Sequence, residues 1–121
     1  MYAGRVQLIV HEFRRYVAVP GRRDLLRERF REGTLGLFAS HGIRPIEMWE
    51  TAIGSVDSLQ YVLEWTSIAE RETAWAEFQR DPDWLALKHR TESDGPLIAR
   101  LSNEIWRPIL GELSRAKEDD R

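Results

Sequence analysis

The chain has 121 residues, 42% hydrophobic and 31% charged, the composition of one globular domain and not of a disordered segment. A net charge of −2 supplies no field for nucleic acid or an acidic membrane, and the lack of cysteine excludes disulfides, thiolate metal sites and thiol catalysis. No apolar run approaches the roughly 20 residues that span a bilayer, and Met1–Val10 has no basic region leading into a long apolar core, so a cytoplasmic protein is expected.

Gln7 to Val19 is rich in β-branched and aromatic residues and predicts a long strand, ended by Pro20-Gly21. Asp24 to Ser40 predicts a helix with Leu26, Phe30, Gly33 and Leu37 as its inward stripe. Gly33 and Gly36 each cost about 1 kcal/mol against alanine in a helix, so they imply a kink or a close backbone approach. Gly42 is a natural helix stop.

Ile43 to Ile53 predicts a second strand and Leu59 to Thr66 a third, joined as a hairpin by Gly54-Ser55-Val56-Asp57. Ser67 with Glu70 is a capping box opening a second helix, with Ala74, Trp75 and Phe78 on its buried side. Asp81 as cap and Pro82 as first helical residue start a third helix carrying Trp84 and Leu87, stopped by Asp94-Gly95-Pro96. Ile98 to Ile109 predicts a fourth strand. Residues 1–110 are then one domain and 111–121 a polar tail. With right-handed crossovers the order βαββαβ gives an α+β, ferredoxin-like fold: a four-stranded antiparallel sheet with its helices on one face.

Side chains alternate along a strand, so each strand divides into two sets. Phe13, Val17, Trp49, Ile53, Tyr61, Leu63, Trp65, Leu101 and Ile105 are expected under the helices. The second set mixes charge with apolar surface: Val10, Glu12, Arg14 and Tyr16, Met48 and Glu50, Val62 and Glu64, Arg100, Glu104 and Trp106. Solvent does not need its apolar members, and a core does not tolerate its charges unpaired. A second sheet packed against it satisfies both, which predicts a homodimer with Glu12, Arg14, Tyr16, Met48, Val62 and Glu64 at its interface.

An ordered set of short motifs runs from about Gln7 to Ile109: Glu12-Phe13-Arg14-Arg15-Tyr16 before Pro20-Gly21, His41-Gly42-Ile43 before Trp49-Glu50-Thr51-Ala52-Ile53-Gly54, Leu59-Gln60-Tyr61-Val62-Leu63, Ala69-Glu70-Arg71-Glu72, Asp81-Pro82-Asp83-Trp84, Asp94-Gly95-Pro96-Leu97 and Arg107-Pro108. In these the chain resembles the NIPSNAP family of the dimeric α/β-barrel superfamily. The resemblance implies a homodimer whose two sheets close into one barrel. It implies no single chemistry, because the superfamily holds cofactor-independent monooxygenases, haem-degrading enzymes, isomerases, dismutases and plain ligand binders. Tyr61 stands where a histidine is expected in the family, so a histidine-dependent role does not transfer to that position.

The resemblance also implies a ligand between sheet and helices. His11 and Tyr61, on neighbouring strands, are then candidates to exchange a proton with a bound phenol or enol. Arg15, Asn103 and His89 are candidate polar ligand contacts, and Trp49, Trp65 and Trp84 candidate walls. The structural alternatives are a hydrogen-bonded core His11 and an Arg15 that snorkels at the sheet edge. His11, His41 and His89 lack metal-ligand spacing, and no phosphate loop or nucleophile motif is present, so no metal or cofactor is expected. Two functions follow: a homodimeric protein binding a hydrophobic oxygenated small molecule, as a cofactor-independent oxygenase or isomerase, or a non-catalytic binding or interaction module. A closed aromatic pocket containing His11 or Tyr61 favours the first, and a filled core with an exposed apolar patch outside the dimer contact favours the second.

Overall fold

The computed structural model describes residues 9–110. Val10–Ala18 (β1), Pro45–Glu50 (β2), Ser58–Trp65 (β3) and Ile98–Trp106 (β4) form one antiparallel sheet in the order β2-β3-β1-β4. One helical stretch links β1 to β2, and Ile68–Arg80 (α3) with Pro82–Thr91 (α4) links β3 to β4. The helices lie on one face, so the fold is the ferredoxin-like βαββαβ arrangement. No helix among the described residues is long and apolar enough to cross a membrane. Gln7, Leu8 and the tail 111–121 lie outside the described residues.

The first crossover is Arg23–Arg29 (α1), a π-helical turn at Phe30–Thr34, and Leu35–Ser40 (α2). The π turn inserts an extra residue per turn and shifts the inward stripe: Leu26 and Phe30 are buried as expected, but Thr34 and Phe38 follow them, and Leu37 is only partly covered. Gly33 makes the close approach that its sequence position implies. A Cβ there would stand 2.6 Å from Cδ2 of Leu87 on α4. At Gly42, φ is +72°, a conformation that glycine adopts without strain, and the helix ends there.

The caps of α3 and α4 fall on the expected residues. Ser67 Oγ accepts the Glu70 N–H at 3.0 Å, while the Glu70 carboxylate reaches back to Thr66 N–H at 2.7 Å, one residue earlier than in the reciprocal box. Asp81 accepts the Asp83 N–H at 2.8 Å, and Pro82 occupies the first helical turn.

The core under the helices consists of Leu26, Phe30, Phe38, Tyr61, Leu63, Trp65 and Phe78, together with Val10, Tyr16 and Ala18 of β1. Burying each large apolar side chain contributes about 1.5–3 kcal/mol. The expected faces hold for β3 and β4 and are inverted for β1 and β2. Glu12, Arg14 and Tyr16 face the helices, with Phe13, Arg15 and Val17 on the open side, because Arg14 pairs with Tyr61 and Tyr16 with Leu59 across the ladder. On β2 the register shifts between Pro45 and Glu47, which carries Met48 to the side of Tyr61 and Trp49 to the side of Gln60. Glu12, Arg14, Tyr16 and Met48 are thus not surface available to a second sheet. Val62 and Glu64 do lie on the open face, with Phe13 and Trp106.

Candidate functional site

Between the sheet and its helices lies a cavity of about 290 Å³, at the lower end of the size of small-molecule sites. Aromatic rings form one part of its wall: Phe30 and Phe38 from the first crossover, Trp75 and Phe78 from α3, Trp84 from α4; Arg29, Gln79, Lys88 and Glu92 add polar and charged groups. These rings pack edge to face, with Phe38 and Phe78 centroids 5.1 Å apart and Phe38 and Trp75 5.6 Å apart, a geometry that fixes the wall rather than filling the space. Arg14 and Tyr16 supply the polar floor from β1.

The floor is held by Glu12, whose side chain is fully buried. Three donors meet its Oε1: Trp65 Nε1, Trp75 Nε1 and Arg71 Nε, each at 3.0 Å. Three meet Oε2: Arg14 Nη1 at 2.8 Å, Asn103 Nδ2 at 3.0 Å and Arg71 Nη2 at 3.1 Å. A buried carboxylate is tolerable only when satisfied in this way. Burial by itself would raise the Glu12 carboxyl; the hydrogen bonds of Arg71, Trp75 and Arg14 outweigh it and hold the pKa at about 2, against an ordinary 4.5. The carboxylate ties β1, β3, β4 and α3 to one point.

Glu12 in turn orients Arg14. The guanidinium lies over the Trp75 ring at 4.4 Å and donates through Nε to the hydroxyls of Tyr61 at 3.0 Å and Tyr16 at 3.3 Å. Burial opposes its charge, but the tyrosine oxygens and Glu12 outweigh that opposition and keep its pKa above the usual arginine range. The two phenol oxygens are 2.6 Å apart. Burial, reinforced by Tyr16, pushes the ionisation of Tyr61 well above the usual range of a phenol, so Tyr61 keeps its hydrogen.

At the opposite wall Arg29, itself buried, pairs with Glu92 at 2.9 Å and lies 5.3 Å from the Trp84 ring. The π turn is what brings Thr34 and Phe38 inward after Phe30, with Thr34 Oγ1 donating to the Arg29 carbonyl at 3.2 Å.

The residues expected at a site are thus redistributed. Tyr61 stands behind the cavity floor and Trp84 in its wall, while Asn103 and Trp65 both serve Glu12. His11 does not share a face with Tyr61: it pairs with Glu64 on the open side, 3.7 Å from its carboxylate. Arg15 and Trp49 also lie on the open side, because alternation in β1 and the register shift in β2 carry them there. His89 lies on the outer surface of α4 in a shallow depression with Leu85 and Ser93. His11, His41 and His89 fall on three separate parts of the fold. Arg14 and Tyr16 thus line the cavity and not a subunit interface, and the local sequence does not mark Arg29, Phe30, Thr34 and Phe38 as site residues. Gly33 within the helix was their one local signal.

The family described as NIPSNAP matches residues 11–110. A NIPSNAP-like domain protein from Burkholderia xenovorans superposes with a TM-score of 0.77 at 19% identity, covering 86% of this chain and 88% of that one. A NIPSNAP family protein from Agrobacterium tumefaciens gives 0.75 at 20% identity, covering 84% and 89%. More distant is a putative antibiotic biosynthesis monooxygenase from Chloroflexus aurantiacus, with a TM-score of 0.57, 17% identity, and coverage of 84% and 93%. No functionally curated protein matches the chain. At these identities the solved structures show a shared fold, and the family match over most of the chain shows that it belongs to the NIPSNAP family.

Proposed function

We propose that this protein binds a hydrophobic, oxygenated small molecule between its sheet and helices and acts on it without a cofactor, as an oxygenase or isomerase. The observation that carries the reading is Arg14, a cation at the floor of an aromatic-walled cavity, locked by Glu12 and stacked on Trp75. Aromatic walls favour a planar ligand, and a fixed cation with hydroxyls beside it favours oxygen that gains negative charge during reaction. A non-catalytic interaction module would not need an open space under its helices. The fold shared with a putative monooxygenase agrees with this reading but supplies no residue roles.

Trp75 and Trp84 line the cavity, so their fluorescence reports occupancy. A naphthol is expected to quench it saturably, and Arg14→Lys, which keeps a cation beside Glu12 but loses the guanidinium donors, to weaken binding by about tenfold or more in a variant shown to be folded, since hydrogen bonds to charged groups contribute about 1.5–3 kcal/mol. Absence of saturable quenching, or equal affinity in the variant, would count against the site.

We propose further that the protein is a homodimer, its two sheets closing into a barrel through the open faces. There Phe13 stacks on Trp106 at 4.9 Å beside Val62. An aromatic pair of this kind on a solvent face is apolar surface that a second sheet would cover.

A further inference from the structure

We propose that Tyr16 and Arg14 form a receptor for a single anionic oxygen, and that the ligand of the cavity carries a phenolate or enolate. The inference rests on reading the cavity as a small-molecule site and narrows the class of molecule.

The direction of one hydrogen bond is the starting point. Arg14 Nε donates to both phenol oxygens, and one hydrogen bridges the 2.6 Å between them. Tyr61 is fully buried, and Arg14 and Tyr16 are the only hydrogen-bond partners of its hydroxyl among the described residues. Its hydrogen therefore goes to Tyr16, because a buried donor left unsatisfied is costly. Tyr16 then accepts from two neighbours and has its own hydrogen to give, and Tyr16 lines the cavity. In such a chain each bond polarises the next.

Arg14 supplies the second donor. Its Nη1 holds Glu12 and its Nε holds the tyrosines. Nη2 shares the guanidinium edge with Nε, so an Nη2–H runs alongside the bond to Tyr16. Each of the two edges with which a guanidinium grips a carboxylate by both oxygens already has one nitrogen engaged. On the edge that faces the tyrosines, one Nη2–H stands beside the Tyr16 O–H, a pair that suits one oxyanion on a planar carbon framework.

The test uses para-nitrophenol, whose phenolate is coloured, with nitrobenzene and para-nitrobenzoate as neutral and carboxylate counterparts. Bound nitrophenol is expected to ionise at lower pH than free nitrophenol, and to bind more tightly than either counterpart. In Tyr16→Phe phenolate affinity should fall about tenfold or more and most of the ionisation shift should vanish. Tyr61→Phe, which leaves the Tyr16 hydroxyl in place, should fall by a smaller factor. Nitrophenol bound as the neutral phenol, a preference for nitrobenzoate, or an unchanged Tyr16→Phe would overturn this inference, while binding of nitrobenzene would leave the cavity reading intact. If none of the three binds, both fall. The ionisation shift is measured on the unaltered protein, so the test stands even where a variant does not fold.

Discussion

Glu12 and Arg14, two positions apart on the helix-facing side of β1, are joined by an ion pair of 2.8 Å. The carboxylate is fully buried and the guanidinium nearly so, which makes the pair a fixed element of the cavity floor and not a surface decoration. Glu12→Gln keeps the size of the side chain but removes the charge that Arg14 and Arg71 share. Breaking such a pair from one side costs about 3–5 kcal/mol because the partners stay buried and uncompensated. Against a total stability of about 5–15 kcal/mol, the variant should unfold at far lower urea concentration than the parent. A loss under about 1 kcal/mol would mean that the carboxylate is not the anchor described.

The same carboxylate predicts how stability depends on acid. Its folded pKa of about 2 lies below the ordinary 4.5, so between those values the unfolded chain binds the extra proton. Stability from this group is therefore complete above about pH 4.5 and is lost as pH falls through about 2, a change of roughly 3 kcal/mol. Urea titrations at stepped pH should show that slope. Glu12→Gln should flatten it, leaving the contributions of Asp81, whose carboxyl is held low by hydrogen bonds from His41 and the Asp83 N–H, and of Glu70, held low by the Thr66 N–H. An equal slope in parent and variant would assign the acid sensitivity elsewhere.

The element order, the hairpin and both helix caps of the second half were legible because each is written in neighbouring residues, as in Ser67 with Glu70 or Asp81 with Pro82. The faces of β1 were not. Val10, Glu12, Tyr16 and Ala18 alternate with His11, Phe13, Arg15 and Val17, and both sets mix apolar and polar residues. The choice is made by Trp65, Arg71, Trp75 and Asn103, which come from 53 to 91 positions away to meet one carboxylate. A local pattern carries no trace of that meeting. In β2 the register shift between Pro45 and Glu47 reversed the alternation, and in the first crossover the π turn replaced Leu37 by Phe38. The site is hidden from the local pattern for the same reason, since it depends on which side of β1 faces inward.

Gly33 gives a test of how α4 closes the cavity. A Cβ at this position would meet Leu87 Cδ2 at 2.6 Å, well inside contact distance. Alanine can be accommodated by a shift of the leucine tip, and the better helix propensity of about 1 kcal/mol offsets part of the strain. Gly33→Leu cannot be accommodated so locally and should push α4 outward, costing about 1–3 kcal/mol. Because α4 carries Trp84 and Lys88 into the cavity wall, the leucine variant should also lose naphthol binding while the alanine variant keeps it. Thermal unfolding with fluorescence titration of both variants separates the effects. A leucine variant as stable as the parent would show that α4 is not held at this contact.

The proposed dimer gives the last prediction, and the inversion of β1 changes which residues can test it. Arg14 is committed to Glu12 and the tyrosines, so altering it would damage the protomer itself. Phe13 and Val62 sit opposite each other on the open face, and Trp106 stacks on Phe13 from the next strand. Phe13→Glu with Val62→Glu places like charges directly across the ladder, where two facing sheets would have to bury them. Both positions keep some solvent contact in the protomer, so its own stability should change far less than the association. Sedimentation should show the parent at twice the 14.2 kDa chain mass and the double variant at the chain mass. A parent that sediments as a monomer, or a double variant that stays dimeric, would remove the open sheet face as the interface. In the monomeric case the Phe13–Trp106 stack would be surface packing within one protomer.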